Sequence, residues 1–176
     1  VDADLAGDRS RGLLVRDALA RESAEDAVRY VERELDARSY QGFNLVAVDD
    51  AAAVLVEWTG VPRVRNLDPG VHIVVNVGAD GDYVIPDHRP DAGERQAENA
   101  GTVQTALQPE PGETADEWLD RAASVISDHE YGVCVHGDGF GTRSSSLIRL
   151  GEGGVSWRFA DGPPCETPYE RVDARP

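Results

Sequence analysis

The chain contains no lysine and no methionine, and only two of its 176 residues are cysteine. All 17 basic residues are therefore arginine, set against 33 aspartates and glutamates, and the formal net charge is −16. No basic stripe stands out that could follow a phosphate backbone, so nucleic acid is not an expected partner. Two cysteines, Cys134 and Cys165, do not make a disulfide framework. No apolar run approaches the ~20 residues of a membrane span, and no signal-peptide pattern opens the chain, so a cytoplasmic protein is expected, with no membrane partner. Without methionine, Val1 is not expected to be a translation start. Either processing removed the start, or part of the protein lies outside these residues.

What is present is carboxylate in quantity. The acids are spread through every segment and form no single tail, which a basic partner would require. A dispersed acidic surface acts as a solvation device in molar salt, where the screening length falls to ~3 Å and self-repulsion costs little. A halophilic protein is the expectation. Hydrophobic residues make up 40% of the chain, a globular composition, and the length suits a single domain over 1–176.

Periodicity divides the chain. Residues 10–22 carry Leu14, Ala18 and Leu19 at helical spacing. Ser23, with Asp26 as capping-box partner, opens a second helix whose stripe is Ala27, Val28, Val31 and Leu35, ending near Arg38. The period then changes to two. "FNLVAVD" (43–49), "AAVLVEW" (52–58) and "VHIVVNV" (71–77) read as strands, the first two joined by Asp49-Asp50 into a hairpin. The first strand is apolar on both faces and is expected to be covered on both sides. After a polar loop at 79–93, helical pattern resumes with Ala97, Ala100, Val103 and Leu107. A further helix follows, capped by Thr114 and Glu117. "SSLIRL" and "VSWRF" form a closing hairpin around the turn 151–154, and the C-terminal stretch reads as irregular. Helices in pairs and antiparallel strands in runs define an α+β protein, with stacked sheets and helices outside.

Few residues carry candidate chemistry. His72 and Asn76 fall on one face of the expected third strand. An asparagine there either bonds a loop as a structural element or serves a site. Arg143, between Thr142 and Ser144 behind two glycines, is either a surface arginine at a strand end or a buried, paired one. Cys134-x-His136 with His129 nearby offers two closely spaced ligands and no matching pair elsewhere, so no metal site is expected. "GDGFG" (137–141) precedes no helix and is not a phosphate loop. "GADGD" (78–82) lacks the ligand spacing of a calcium loop. Ser144 to Ser146 lack the G-x-S-x-G context of a hydrolase serine.

Taken in order, "SRGLLVRDAL" (10–19), "SYQGFNLVAVD" (39–49), "LDPGVHIVVN" (67–76), "FGTRSSSLIRL" (140–150) and "GGVSWRF" (153–159) resemble the NRDE family, also called the transport-and-Golgi-organization family. That family is named for an Asn-Arg-Asp-Glu stretch near its N-terminus, following a cysteine. Neither motif occurs in these residues, so the resemblance implies the later two-thirds of a family domain, incomplete at its N-terminus. It further implies a four-layer αββα sandwich of the N-terminal-nucleophile hydrolase type. There a terminal cysteine, outside this chain, attacks a C–N amide bond. On that resemblance the oxyanion asparagine is Asn76 and the late arginine is Arg143, with His72, Thr142 and Ser144 lining the same cleft. Arg143 is then expected to be buried. No cofactor is implied. The alternative is a non-catalytic protein using the cleft to handle a haem- or lipid-related ligand.

The charge pattern generates a direct expectation. The midpoint of thermal unfolding rises between dilute buffer and molar potassium chloride, because screening removes carboxylate repulsion. Equal midpoints in the two solvents contradict the halophilic reading.

Overall fold

A computed structural model describes residues 5–151 and 153–173. The protein is mixed α and β, 33% helix and 26% strand, with small antiparallel sheets. It divides into two compact units, residues 1–97 and 98–176. No helix among the described residues is long and apolar enough to cross a membrane.

The first unit opens with α1 (Arg11–Ala18) and α2 (Ala24–Ala37), started by the hydroxyls of Ser10 and Ser23, which accept the N–H groups of Gly12 and Asp26. α1 is shorter than its apolar pattern predicts. Leu14 and Ala18 are buried, but Leu19 caps the helix and is 81% exposed. On α2, Ala27, Val28 and Val31 are buried. They join Phe43 of β1 (Phe43–Val48), Val54 and Val56 of β2 (Ala53–Trp58), and Tyr40 in one apolar core.

The β1–β2 hairpin forms as expected, in a register pairing Phe43 with Trp58 and Val48 with Ala53. Asp49 organises both its turn and a helix end. One carboxylate oxygen accepts the N–H groups of Ala51 and Ala52, each at 2.8 Å. The other accepts Ala24 N–H, at the start of α2, at 2.7 Å. These bonds, with Ala24 the strongest contributor, hold its carboxyl below the usual aspartate range.

Two strand expectations need correction. The third strand of this sheet is β3 (Pro62–Asn66), paired to β2; its proline starts an edge strand, where no ladder donor is lost. That places β2 in the centre, and β2, not β1, is covered on both faces: Val54, Leu55 and Val56 are buried while Val46 and Val48 of β1 are exposed. The stretch 71–77 is not one strand. It contributes only β4 (Val74–Val75), then turns at Asn76-Val77 into β5 (Gly78–Ala79), which turns again at Asp80-Gly81 into β6 (Asp82–Tyr83). Asp80 and Gly81 have φ of 53° and 90°, the left-handed pair of a two-residue hairpin turn. At Gly78 a Cβ would lie 2.1 Å from the carbonyl oxygen of Asp82, so only glycine permits the hairpin.

The second unit carries the later part of α3 (Pro90–Ala106), then α4 (Ala115–Ser127), whose Thr114–Glu117 capping box is complete. From α4, the indole N–H of Trp118 donates to the Leu107 carbonyl, and Arg121 donates to the carbonyls of Ala106 and Gln108. A single turn of 3-10 helix (His129–Tyr131) leads to the small hairpin β7 (His136–Gly137) and β8 (Phe140–Gly141). The hairpin expected at 145–159 is present as β9 (Ser145–Gly151) and β10 (Gly154–Ala160). The stretch read as irregular adds β11 (Glu170–Val172) beside β10. Asp116 and Asp120 of α4 pair with Arg149 and Arg158 of this sheet.

Candidate functional site

In the first unit, a cleft of about 250 Å³ opens where Asn44 and Glu57, on β1 and β2, face the turn at 76–78. Asn44 and Glu57 are cross-strand partners on the opposite face of the sheet from Val54 and Val56. The Asn44 amide nitrogen donates to the Val75 carbonyl at 2.8 Å, which sets the amide's orientation and fastens the 74–78 segment to β1. Its oxygen is then buried without a hydrogen-bond partner among the described residues.

Glu57 is only 9% exposed. Arg63 Nε and Arg65 Nε each stand 3.9 Å from its Oε2, close enough to balance charge and too far for a hydrogen bond. Oε2 is buried without a hydrogen-bond partner among the described residues. Asn76 and Val77, from the turn, complete the rim with Arg63 and Asp82, which are themselves paired. The cleft is therefore lined by two residues that each hold a buried oxygen without a hydrogen-bond partner among the described residues, Asn44 and Glu57, beside an asparagine and a guanidinium.

His72 does not line this cleft. The alternation that puts it beside Asn76 fails because the carboxylate of Asp80 binds the chain at residues 72–73. Asp80 accepts Ile73 N–H at 2.9 Å and His72 Nδ1 at 2.8 Å, and side-chain bonds of this kind compete with a strand ladder. His72 Nε2 lies 2.7 Å from the Asp68 carbonyl. Both ring nitrogens thus face acceptors, and only the doubly protonated ring satisfies both. The Asp68 carbonyl and then Asp80 raise the His72 pKa above its ordinary value.

The other expected site residues lie in the second unit. Arg143 is exposed, not buried, and no hydrogen bond or ion pair holds its guanidinium among the described residues. It stands two residues before β9, which begins at Ser145 as expected. Ser144 is exposed as well. Thr142 is engaged: its hydroxyl accepts Val135 N–H at 3.0 Å and donates to the Val133 carbonyl at 3.2 Å. It clamps the chain on both sides of Cys134. Of the next two serines, Ser145 accepts the Tyr169 hydroxyl and Ser146 accepts the Trp157 indole. The hydroxyl run is thus largely a set of fasteners.

The expectation that Cys134 and His136 have no further ligands is corrected by the fold. His129, Cys134, His136 and Cys165 come together, one ligand atom from each lying within 4.8 Å of all the others. Sequence spacing hid the set, since Cys134 and Cys165 stand 31 positions apart and Cys165 lies in the stretch read as irregular.

Compared with protein-family models, curated proteins and solved structures, the chain matches none of them.

The raised pKa of His72 fixes the sign of a pH effect. Its contribution to stability is fully present below the ordinary histidine value, ~6.5, and is lost as pH rises through the folded-state value. Wild-type stability is expected to fall over that rise, and His72→Gln is expected to flatten the curve there. Denaturant titrations across the range test this; parallel curves for the two proteins contradict it.

Proposed function

We propose that the chain is the later part of an N-terminal-nucleophile hydrolase of the NRDE kind, a four-layer αββα sandwich acting on a C–N amide bond, and that the cleft at Asn76 receives the amide. The observation that carries this reading is that Asn44 and Glu57, each with a side-chain oxygen (Oδ1 and Oε2) lacking a hydrogen-bond partner among the described residues, line one cleft with Asn76. Buried acceptors call for N–H donors, and an amide supplies them. On the resemblance, Asn76 is the residue that supports the carbonyl oxygen, where negative charge develops during attack. Arg143 has no part in this version of the site, because its exposure gives it no carboxylate or thiol to tune.

The layered architecture draws support from each unit separately. α1 and α2 pack on one face of β1 and β2, and α4 is ion-paired to the β9–β10 sheet. The cleft's volume, about 250 Å³, falls below the ~300–1,000 Å³ of sites for larger ligands and favours a small amide over haem or a lipid chain. The nucleophile in this reading is a cysteine outside these residues.

In a protein carrying that N-terminal cysteine, Asn76→Ala is expected to lower amide turnover by ~10²–10³ while substrate binding changes little. Glu57→Gln is expected to weaken binding instead, because one of the two acceptors becomes a donor. Steady-state kinetics on a small amide separate the two effects. Unchanged turnover in Asn76→Ala, or equal turnover in a protein whose terminal cysteine is replaced, overturns the proposal.

A further inference from the structure

The four-residue cluster of the second unit has no role in amide chemistry, and its geometry is that of a coordination shell. Cys134 Sγ and Cys165 Sγ are 3.4 Å apart, far beyond the ~2.05 Å of a disulfide. His136 Nε2 lies 3.6 Å from Cys134 Sγ and 3.1 Å from Cys165 Sγ. A tetrahedron with zinc–sulfur bonds of ~2.3 Å and zinc–nitrogen bonds of ~2.0–2.1 Å has sulfur–sulfur edges of about 3.8 Å and sulfur–nitrogen edges of about 3.5 Å. The three edges among Cys134, His136 and Cys165 lie within about 0.4 Å of these, and the ligand atom of His129 lies within 4.8 Å of the others. The His129 ring stands edge-on to His136, with centroids 5.1 Å apart, on the remaining side.

The chain around the cluster is built to present it. Gly132, at φ 64°, ends the turn of 3-10 helix that carries His129, and a Cβ there would lie 2.0 Å from Asn99 Nδ2. Thr142 grips Val133 and Val135, so Cys134 is held at a fixed depth, 4% exposed. Cys165 is delivered by a tight loop in which the Pro163 carbonyl accepts the N–H groups of Glu166 and Thr167. Four ligands thus arrive from three separate segments, a convergence that two free thiols and two imidazoles do not otherwise require.

We infer that His129, Cys134, His136 and Cys165 bind one zinc ion as a structural centre. Two thiolates and two neutral imidazoles around a divalent cation sum to zero charge, which suits a half-buried position in an acidic protein. Thiolate with imidazole selects zinc over the oxygen-preferring calcium and magnesium. Four protein ligands complete the tetrahedron and leave no position for a reacting water, which makes the centre structural and not catalytic. The ion joins the 3-10 turn, the β7–β8 hairpin and the loop before β11, short pieces with little apolar surface of their own.

The test uses the full chain, stripped of metal with a chelator under reducing conditions and titrated with cobalt(II). One equivalent is expected to produce the visible bands of tetrahedral cobalt and a near-ultraviolet thiolate-to-metal band, both erased by one equivalent of zinc. Zinc binding is expected to release close to two protons, one from each thiol, read by calorimetry in buffers of different ionisation enthalpy. Cys134→Ser and Cys165→Ser should each lose more affinity than the ~10–100-fold typical of outer-shell changes. Cys165→His keeps a fourth ligand and should still bind one equivalent, with roughly half the charge-transfer intensity. A spectrum of octahedral cobalt alone in the wild-type chain, or affinity untouched in both serine variants, overturns the inference. The wild-type spectrum is decisive even if the serine variants fail to fold.

Discussion

Carboxylate repulsion is the constraint around which both units are arranged. With 33 acids, 17 arginines and no lysine, a cation that reaches the interior serves several acceptors at once. Arg9 does this in the first unit, meeting Asp17 of α1, Glu34 of α2 and the hydroxyls of Tyr30 and Tyr40. Burial and the neighbouring Glu34 push the Tyr40 phenol up to about 12, so it remains a donor to that carboxylate, at 2.8 Å. Arg121 does the same in the second unit, a fork that grips both oxygens of Glu113 while capping the end of α3. A lysine's point charge does not span such sets, whereas the planar guanidinium does.

Both candidate sites follow from the same shortage of cations. Glu57 is tolerated at the centre of the first sheet because Arg63 and Arg65 stand near it, but neither comes close enough to bond it. Charge is balanced while hydrogen-bonding capacity is left over, which is the condition a ligand with N–H groups exploits. In the second unit no arginine is bonded to the cluster at 129–136 and 165 among the described residues. The stitching there falls to thiols and imidazoles, and the countercharge to a bound cation.

Much of the fold was legible because local rules agreed with it. Ser23 and Thr114 announced helix starts, the stripe of Ala27, Val28 and Val31 announced a buried face, and the closing hairpin showed its turn glycines. The failures have a common cause: long-range or side-chain bonds overrode local pattern. Asp80 diverted the stretch 71–77 from a strand into a double hairpin, although the Asp-Gly turn was visible in the sequence. β3 escaped notice because "PRVRN" is polar, as an edge strand is permitted to be. Asn76 does line a cleft, but through a turn and not through strand alternation. The cluster of two histidines and two cysteines was invisible because Cys165 joins it only when β10 and the loop after it fold back. Arg143 read as significant from its neighbours, yet those neighbours are satisfied by backbone and aromatic partners and leave it in solvent.

The cleft of Asn44, Glu57 and Asn76 is the proposed site of amide binding. The most direct measurement is a titration of the isotopically labelled chain with a small primary amide, followed by nitrogen–proton correlation spectra. The account predicts saturable shifts in the side-chain amide signals of Asn44 and Asn76 and in the backbone signals of Val77 and Gly78. No shift at these residues while others move, or no saturable shift anywhere, contradicts it.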